Sequence, residues 1–400
     1  MDAEEALTIG RRVWQIRKVR GKSQEVVAGL AGMSAPTLSR IENGQQTLDS
    51  LSQIVGLAEA LEIPPSELMR LPVPAPANGH TDAATEAVRL ALDAIDIDRP
   101  GGLVVPVEVL RDRVAVIHQQ RRACQAAAVA AALPGLIHDL HTTLDTGRDH
   151  GELLELAVYL HVHVTRWWLI EAAAAADLLR RAVYLARRLA QQRDEVATLA
   201  HASFGVADVL LSGGAFPLGR AELDSITLPP TTADNAGFVA QVTALHAMAA
   251  RLTGRPGEVA APLDAAEELA ERFGATGEVD SLGYVYGPND SGLIRMVEAL
   301  EIGEPDRAVS IAEQVQPQRH PFQVNRCGYW LRYGHALAGV RGRHDDAVVA
   351  LRTAEDLFPA KVLRNLIMRD VIAGLLMRSR RDSPMDRELR GLAYRAGLAV

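Results

Sequence analysis

The segment Ser23-Gln-Glu-Val-Val-Ala-Gly-Leu-Ala-Gly-Met-Ser-Ala-Pro-Thr-Leu-Ser-Arg-Ile-Glu-Asn-Gly44 contains the pattern of two short helices joined by a tight turn. Ser23 can cap the first helix, and Gly32 stands where the chain must reverse. Ser34 can cap the second helix. That helix tolerates Pro36 in its first turn, because the missing amide hydrogen would have no partner within the helix. The segment therefore predicts a helix-turn-helix unit.

The second helix of this unit has a polar outer face that can enter a major groove of DNA, where all four base pairs are distinguishable. Arg40 can donate paired hydrogen bonds to a guanine edge. Thr37 can donate, accept or offer its methyl group, and Ala35 or Pro36 can contact a thymine methyl group. These residues are the predicted base readers: Ala35, Pro36, Thr37 and Arg40.

The preceding helix, predicted over about residues 7–19, begins a basic run with no acidic residue between Gly10 and Lys22. Residues 1–70 contain 8 basic and 9 acidic side chains, so the distribution of charge matters more than its total. The predicted phosphate contacts of this run are Arg11, Arg12, Lys18 and Lys22. The serines Ser34 and Ser39 of the second helix are added to that set.

This pattern resembles the Cro and phage-repressor type of helix-turn-helix, the XRE family, from residue 8 to about residue 69. The resemblance implies a five-helix, lambda-repressor-like DNA-binding domain. It implies phosphate contacts from Gln24 and Asn43, and a structural ion pair between Arg17 and Glu42. Many relatives carry polar base readers where this sequence has Ala35-Pro36, which implies narrower direct readout here.

Prolines at alternate positions in Leu71–His80 predict an extended linker after this domain. The predicted divisions are a DNA-binding domain over 1–70, a proline-rich linker over 71–83 and an all-helical domain over 84–400. Apolar residues recur at helical spacing through the last division, and the predicted helices include 106–132, 135–145 and 151–171. The expected fold class is all-α.

An approximate internal repeat runs through the carboxyl-terminal half of the sequence. Gly254, Gly303 and Gly342 each follow one predicted helix and precede another, at steps of 49 and 39 residues. The region resembles the tetratricopeptide-like (TPR-like) part of actinobacterial XRE regulators. The resemblance implies an α-solenoid of divergent helix pairs that senses a ligand or forms oligomers.

Two clusters in the all-helical region are candidates for binding. Adjacent tryptophans cannot both face one helix's core, so the segment around Trp167-Trp168 is the predicted groove for a peptide or small molecule. Its members are Tyr159, Arg166, Trp167 and Trp168. Seven histidines also lie within 84 residues: His118, His138, His141, His150, His161, His163 and His201. Without an HExxH motif or paired cysteines they are interpreted as core or groove histidines, and no metal or cofactor is predicted.

Composition and motifs limit the function further. The formal net charge of -8 excludes a chain that coats nucleic acid over most of its surface. The two cysteines, Cys124 and Cys327, and the absence of a charged-then-apolar leader predict a cytoplasmic protein without a membrane anchor. No nucleophile elbow or phosphate-binding glycine loop is present, so no enzyme is predicted.

The leading prediction is a sequence-specific transcription regulator that binds double-stranded DNA as a homodimer, because two half-sites require two heads. Its helical body would dimerise and sense a peptide or small molecule. The competing prediction is an adaptor whose repeat groove binds a peptide or protein and whose head is accessory. Salt-dependent association with duplex DNA separates the two. A third interpretation, a metal-dependent enzyme built on the histidines, would require stoichiometric metal.

Overall fold

The computed structural model describes residues 8–48, 50–69, 79–228, 231–273, 279–379 and 384–398. Every regular element within those residues is helical, which confirms the predicted all-α class. The contacts divide the chain into two compact units. The first holds the described residues of Met1–Ala77, Gly292–Pro317 and Arg326–Val400, and the second those of Asn78–Ser291 and Gln318–Asn325. The predicted boundaries at 70 and 84 stay a prediction, since this grouping places the head with residues from the carboxyl-terminal half.

The head of the first unit is built from five short helices. They are α1 (Ile9–Val19), α2 (Gln24–Leu30), α3 (Ala35–Glu42), α4 (Leu51–Ala60) and α5 (Pro65–Leu68). Hydroxyl caps open four of them, because each hydroxyl oxygen accepts from an amide that has no partner within the helix: Thr8, Ser23, Ser34 and Ser50. Buried aliphatic side chains from all five helices form one core, which includes Ile9, Val27, Leu38, Ile54 and Leu68.

The second unit contains ten α-helices among the described residues. They are α6 (Gly79–Asp96), α7 (Val107–Arg122), α8 (Ala126–Leu144), α9 (His150–Tyr159), α10 (Arg166–Glu171), α11 (Ala176–Arg193), α12 (Val196–Ser212), α13 (Phe216–Asp224), α14 (Ala236–Leu252) and α15 (Ala260–Arg272). From α11 to α15 each helix packs against the next along the chain. A large apolar core joins α6 to α12. The solenoid arrangement stays a prediction.

Seven more α-helices follow α15 among the residues that the structure describes. They are α16 (Pro288–Glu301), α17 (Pro305–Ala312), α18 (Gln323–Gly339), α19 (His344–Leu357), α20 (Pro359–Leu363), α21 (Leu366–Arg378) and α22 (Pro384–Arg395). The three glycines of the approximate repeat, Gly254, Gly303 and Gly342, all have positive φ, at 73°, 74° and 82°. The residues after Gly254 and Gly303 close the same turn, since Arg255 donates to Ala250 and Glu304 donates to Ala299, whereas Arg343 after Gly342 donates to Val340. The repeat stays a prediction.

Two predicted helix boundaries were wrong. The single helix over 106–132 ends at Arg122, because Cys124 takes a left-handed conformation with φ of 59°. A non-glycine residue in that conformation leaves no sequence signal. The predicted break at 133–134 does not occur, since Pro134 lies inside α8. Gly79–Asp96 is helical, so α6 begins within the predicted linker, whose residues 71–78 lie outside the described residues.

A π-helical turn over Leu160–Thr165 joins α9 to α10. The predicted helix over 151–171 is therefore one continuous helical run with a wider turn in its middle. All six residues of the turn are buried. π-Helical turns are rare and are frequent at functional sites. This turn brings two histidines, His161 and His163, into the interior of the second unit.

Candidate nucleic-acid interface

The turn between α2 and α3 sets the direction of the second helix of the motif. Gly32 has φ of 69°, a conformation that side chains with a Cβ atom rarely adopt, and the chain reverses there. The Ser34 hydroxyl then accepts a 3.2 Å hydrogen bond from the amide of Thr37 and opens α3. Leu38 and Ile41 are fully buried, so α3 has one face in the core and one at the surface.

The close crossing of α1 and α3 holds the recognition helix against the head. A Cβ atom added at Gly10 would lie 2.2 Å from the carbonyl oxygen of Ile41. This distance is far inside van der Waals contact, so only glycine permits the crossing. The position of α3 therefore depends on a glycine in α1.

A buried ion pair joins α1 to the end of α3. Nε and Nη2 of Arg17 donate to the two carboxylate oxygens of Glu42 at 2.6 and 2.8 Å. Both residues are buried, at 5% and 1% exposure. Hydrogen bonding to Glu42 raises the pKa of Arg17 above its usual value. Gln24 also donates to Glu42, at 2.7 Å, so the beginning of α2 joins the same network. The structure thus brings together the two residues that the family resemblance pairs.

The four predicted base readers lie on the outer side of α3. Pro36 and Arg40 are exposed, while Ala35 and Thr37 are partly exposed. The Thr37 hydroxyl lies 2.8 Å from that of Ser34 and accepts a 3.4 Å hydrogen bond from Nη2 of Arg40. These weak local contacts keep the guanidinium at the surface, where it can exchange them for a base edge.

Four of the predicted phosphate contacts are at least partly exposed: Arg11, Lys18, Ser39 and Asn43. Lys18 is exposed and makes no ion pair within the described part of the chain. The Arg11 guanidinium lies 4.0 Å from the ring centre of Trp14. Asn43 and Ser39 lie near each other, with a 3.4 Å hydrogen bond from the amide to the hydroxyl. All four therefore stay candidates for phosphate contacts.

The four other predicted phosphate contacts form hydrogen bonds within the head. Arg12 donates to the backbone oxygen of Glu67 at 2.7 Å and pairs with its carboxylate. Nζ of Lys22 donates at 2.8 Å to the carbonyl oxygen of Ala60 and at 2.8 Å to Glu62. Gln24 is bound to Glu42 as described above, and Ser34 serves as a helix cap. Arg12 and Lys22 are thus each paired with a glutamate of the head, and their assignment as phosphate contacts stays a prediction.

Two carboxylates from the carboxyl-terminal half contact the head within the first unit. Asp370 of α21 accepts a 2.7 Å hydrogen bond from the amide of Ile9, the first residue of α1. Glu301 of α16 accepts from the amides of Leu51 and Ser52 at 3.0 and 3.3 Å. No pattern near these acids in the sequence identifies them, because their partners lie hundreds of positions away.

In the second unit the predicted ligand groove is only partly accessible. Arg166 is fully buried and donates to Asp208 at 2.9 Å, and Trp168 is 2% exposed. Trp167 is partly exposed and lies 4.7 Å from the Arg166 guanidinium. The assignment of Arg166 and Trp168 to a groove was therefore wrong, because both side chains belong to the interior. Tyr159 does line a cavity.

The seven clustered histidines do not share one surface. Nε2 of His141 lies 2.9 Å from Nε2 of His161, and His163 lies beside His118 and His201. Within the described ranges no three His, Cys, Asp or Glu side chains form a group that could hold a metal ion. Across the same residues every helix is too short or too polar to span a membrane.

Comparison with known families supports the helix-turn-helix geometry. A family model described as a helix-turn-helix domain matches residues 8–71. The match covers α1 to α5, and it supports a DNA-binding domain of the XRE/Cro type in this part of the chain. No curated protein and no solved structure matches the chain.

Proposed function

We propose that the chain is a sequence-specific transcription regulator whose α3 enters the major groove of duplex DNA. The main support for the proposal is that α3 has one buried side and one exposed side. Leu38 and Ile41 are fully buried in the head, while Pro36 and Arg40 are exposed on the opposite side. Phosphate contacts from Arg11, Lys18, Ser39 and Asn43 would hold the head on the backbone while Arg40 reads a base edge.

The proposal extends to assembly and regulation. One small head makes few phosphate contacts, and two heads joined by one body would bind two half-sites with a higher effective concentration. We therefore propose a homodimer, with helix pairs of the TPR-like type providing the contacts between copies. The helical body would sense a small molecule. The proposal assigns the chain no catalytic activity and a cytoplasmic location.

The test is selection of bound sequences from a library of random duplexes by the purified full chain. The expected result is enrichment of one short motif, followed by an affinity for that motif that falls steeply as salt rises. Enrichment of no motif, together with association that does not change with salt, would contradict the proposal. That pair of results would instead favour the adaptor function, in which the head is accessory.

A further inference from the structure

We propose that the second unit binds a small organic amine in a cavity beside Tyr159 and His201. The proposal deepens the sensing role given above by naming the chemical class of the ligand. Its test measures ligand binding in the absence of DNA, so failure here is distinguishable from failure of DNA recognition. The cavity has a volume of about 500 Å³, which is within the usual range for a small-molecule site.

Three helices, α7, α9 and α12, and the loops before α14 and α16 contribute to the lining of the cavity. Leu156 and Tyr159 of α9 stand on one side, and Thr198 and His201 of α12 stand on another. The remaining wall includes Leu282, from the loop that precedes α16. The π-helical turn begins directly after Tyr159, so the wider turn separates this wall from the buried residues that follow it. Two apolar side chains and two rings thus surround a space with polar edges.

Five aromatic side chains pack together in a group that we call the imidazole cluster: His118, Tyr159, His163, His201 and Tyr284. Two of them, Tyr159 and His201, line the cavity. Ring centres of His163 lie 5.0 Å from His118, 4.8 Å from His201 and 4.5 Å from Tyr284. Nδ1 of His118 lies 2.6 Å from the Tyr159 hydroxyl. Contacts between the rings therefore fix Tyr159, which lines the cavity.

Polar atoms of the imidazole cluster are buried without partners. Nε2 of His118, Nε2 of His201 and the hydroxyl of Tyr284 have no hydrogen-bond partner within the described residues. His118, His201 and Tyr284 are 4%, 2% and 8% exposed. Native proteins seldom leave such groups unsatisfied, and the exceptions concentrate where a ligand or an ordered water completes the network. His201 belongs both to this group and to the wall of the cavity.

Burial keeps these imidazoles uncharged. It lowers the pKa of His118 to about 2 and that of His201 to about 3, and it holds the pKa of His163 well below its usual value. A neutral imidazole offers one donor and one acceptor and does not repel a cation. The imidazoles therefore add no positive charge themselves, and the cations that act on these rings are Arg121, Arg122 and Arg166.

The rim of the cavity is acidic. Its carboxylates are Glu152, Glu155, Glu195 and Asp234, and its one cationic side chain is Arg111. Arg111 donates to Glu152 at 2.9 Å, and Arg193 lies 2.6 Å from Glu155 and 3.8 Å from Glu195. Asp234 has no ion pair within the described part of the chain, and its carboxylate is at the surface. The rim thus retains excess negative charge.

These features select a ligand with an ammonium group. Excess carboxylate charge attracts a cation, and the electron-rich face of Tyr159 stabilises one. The Thr198 hydroxyl donates to Glu195 at 2.9 Å, and its oxygen can still accept a hydrogen bond from an ammonium group. An anionic ligand would meet the same carboxylates and be repelled. The chemistry therefore points to small organic amines.

The experiment is isothermal titration calorimetry of the full chain with spermidine, a trivalent amine, as the probe. The expected result is saturable binding that Asp234→Asn and Tyr159→Leu each weaken at least tenfold. Glu271→Gln is the matched control, since Glu271 is an exposed acid of α15 outside the cavity. That variant should bind spermidine as tightly as the unchanged chain.

Two further titrations separate the amine site from general attraction of cations and from apolar binding. Mg²⁺ tests charge alone, and 1,8-octanediol tests a chain of similar length without charge. The proposal is overturned if spermidine shows no saturable binding, if either control ligand binds equally well, or if Glu271→Gln weakens binding as much as Asp234→Asn. Tyr159→Phe keeps the ring and should retain most of the affinity. Weak binding by Tyr159→Leu alone would then reflect loss of the ring, whereas weak binding by both variants would contradict the role of the ring.

Discussion

The carboxylate of Glu301 accepts a 2.8 Å hydrogen bond from the hydroxyl of Ser50, 251 positions earlier in the chain. It also accepts from the Ser52 hydroxyl at 3.2 Å and from two backbone amides at the beginning of α4. The amino end of a helix carries partial positive charge and amides without intrahelical partners. Glu301 therefore completes a cap that Ser50 alone leaves unfinished.

We expect Glu301→Gln to lower the free energy of unfolding by about 0.5–2 kcal/mol, the usual range for loss of a cap. Urea denaturation of the full chain measures this change. Glu304→Gln is the control, because Glu304 forms an exposed pair with Arg307 and no other ion pair with the residues that the structure describes. Exposed pairs contribute about 0–1 kcal/mol. Equal losses in the two variants would show that the cap adds nothing.

Removal of the Glu301 charge should also affect DNA binding. Asn43 and the beginning of α4 lie on either side of one short loop, and a DNA phosphate near this loop would be repelled by the carboxylate. We expect Glu301→Gln to tighten binding to random duplex at low salt, and the gain to disappear at high salt. A fluorescence anisotropy titration at two salt concentrations measures it. Weaker binding by the variant at low salt would contradict the argument.

Breaking the Arg17–Glu42 pair should destabilise the head strongly. A buried charge left without its partner costs about 3–5 kcal/mol, so we expect that loss from Arg17→Ala. The double change Arg17→Met with Glu42→Leu removes both charges and should recover most of the stability. Thermal unfolding of the unchanged chain, of Arg17→Ala and of the double variant measures these differences in stability. A double variant no more stable than Arg17→Ala would show that the pair itself is required.

Arg40 and Lys18 should have separable effects on DNA recognition. Arg40→Ala should cost about 1–3 kcal/mol on the selected motif and relax the preference at one base pair. Lys18→Ala should weaken binding to all sequences about equally and reduce the dependence on salt by about one phosphate contact. Titrations on selected and scrambled duplexes measure both variants. The same pattern for both would refute the division between base reading and phosphate contact.

Stability should fall as the solution becomes mildly acidic. Burial lowers the pKa of His118 to about 2, of His201 to about 3 and of His141 to about 4. The unfolded chain takes up protons near pH 6.5, while these folded histidines stay neutral. Below pH 6.5 the free energy of unfolding therefore decreases, by about 1.4 kcal/mol per pH unit for each such histidine.

Urea denaturation between pH 7.5 and pH 5 measures this slope. His118→Gln should reduce it by the share of one histidine. A free energy of unfolding that stays constant from pH 7.5 to pH 5 would contradict the prediction.

Local signals in the sequence were sufficient to predict the helix-turn-helix unit of the head. They were insufficient to predict which of its basic residues form ion pairs. Ser34, Gly32 and Pro36 act within a few residues of themselves, so the turn and α3 could be predicted. Arg12 and Lys22 are paired with Glu67 and Glu62, which lie 55 and 40 positions away. Such partners depend on the packing of distant helices, which a basic run does not reveal.

The same distinction holds in the second unit. The predicted groove contained Arg166, whose partner Asp208 lies 42 positions later and whose guanidinium is buried. An arginine beside two tryptophans reads as a surface feature unless that partner is known. Tyr159 lines a cavity, and its contact His118 lies 41 positions earlier in the chain, on another helix.

Asp370 and Glu301 have a consequence for modular exchange. The first turn of α1 and the first turn of α4 both begin on carboxylates that belong to other parts of the chain. A head joined to a different carboxyl-terminal region would lose both hydrogen-bond acceptors. A different head joined to this region would place other residues against the carboxylates of Asp370 and Glu301. An exchange of heads between such proteins should therefore give a stable chain only when the segments that contain both carboxylates are transferred together with the head.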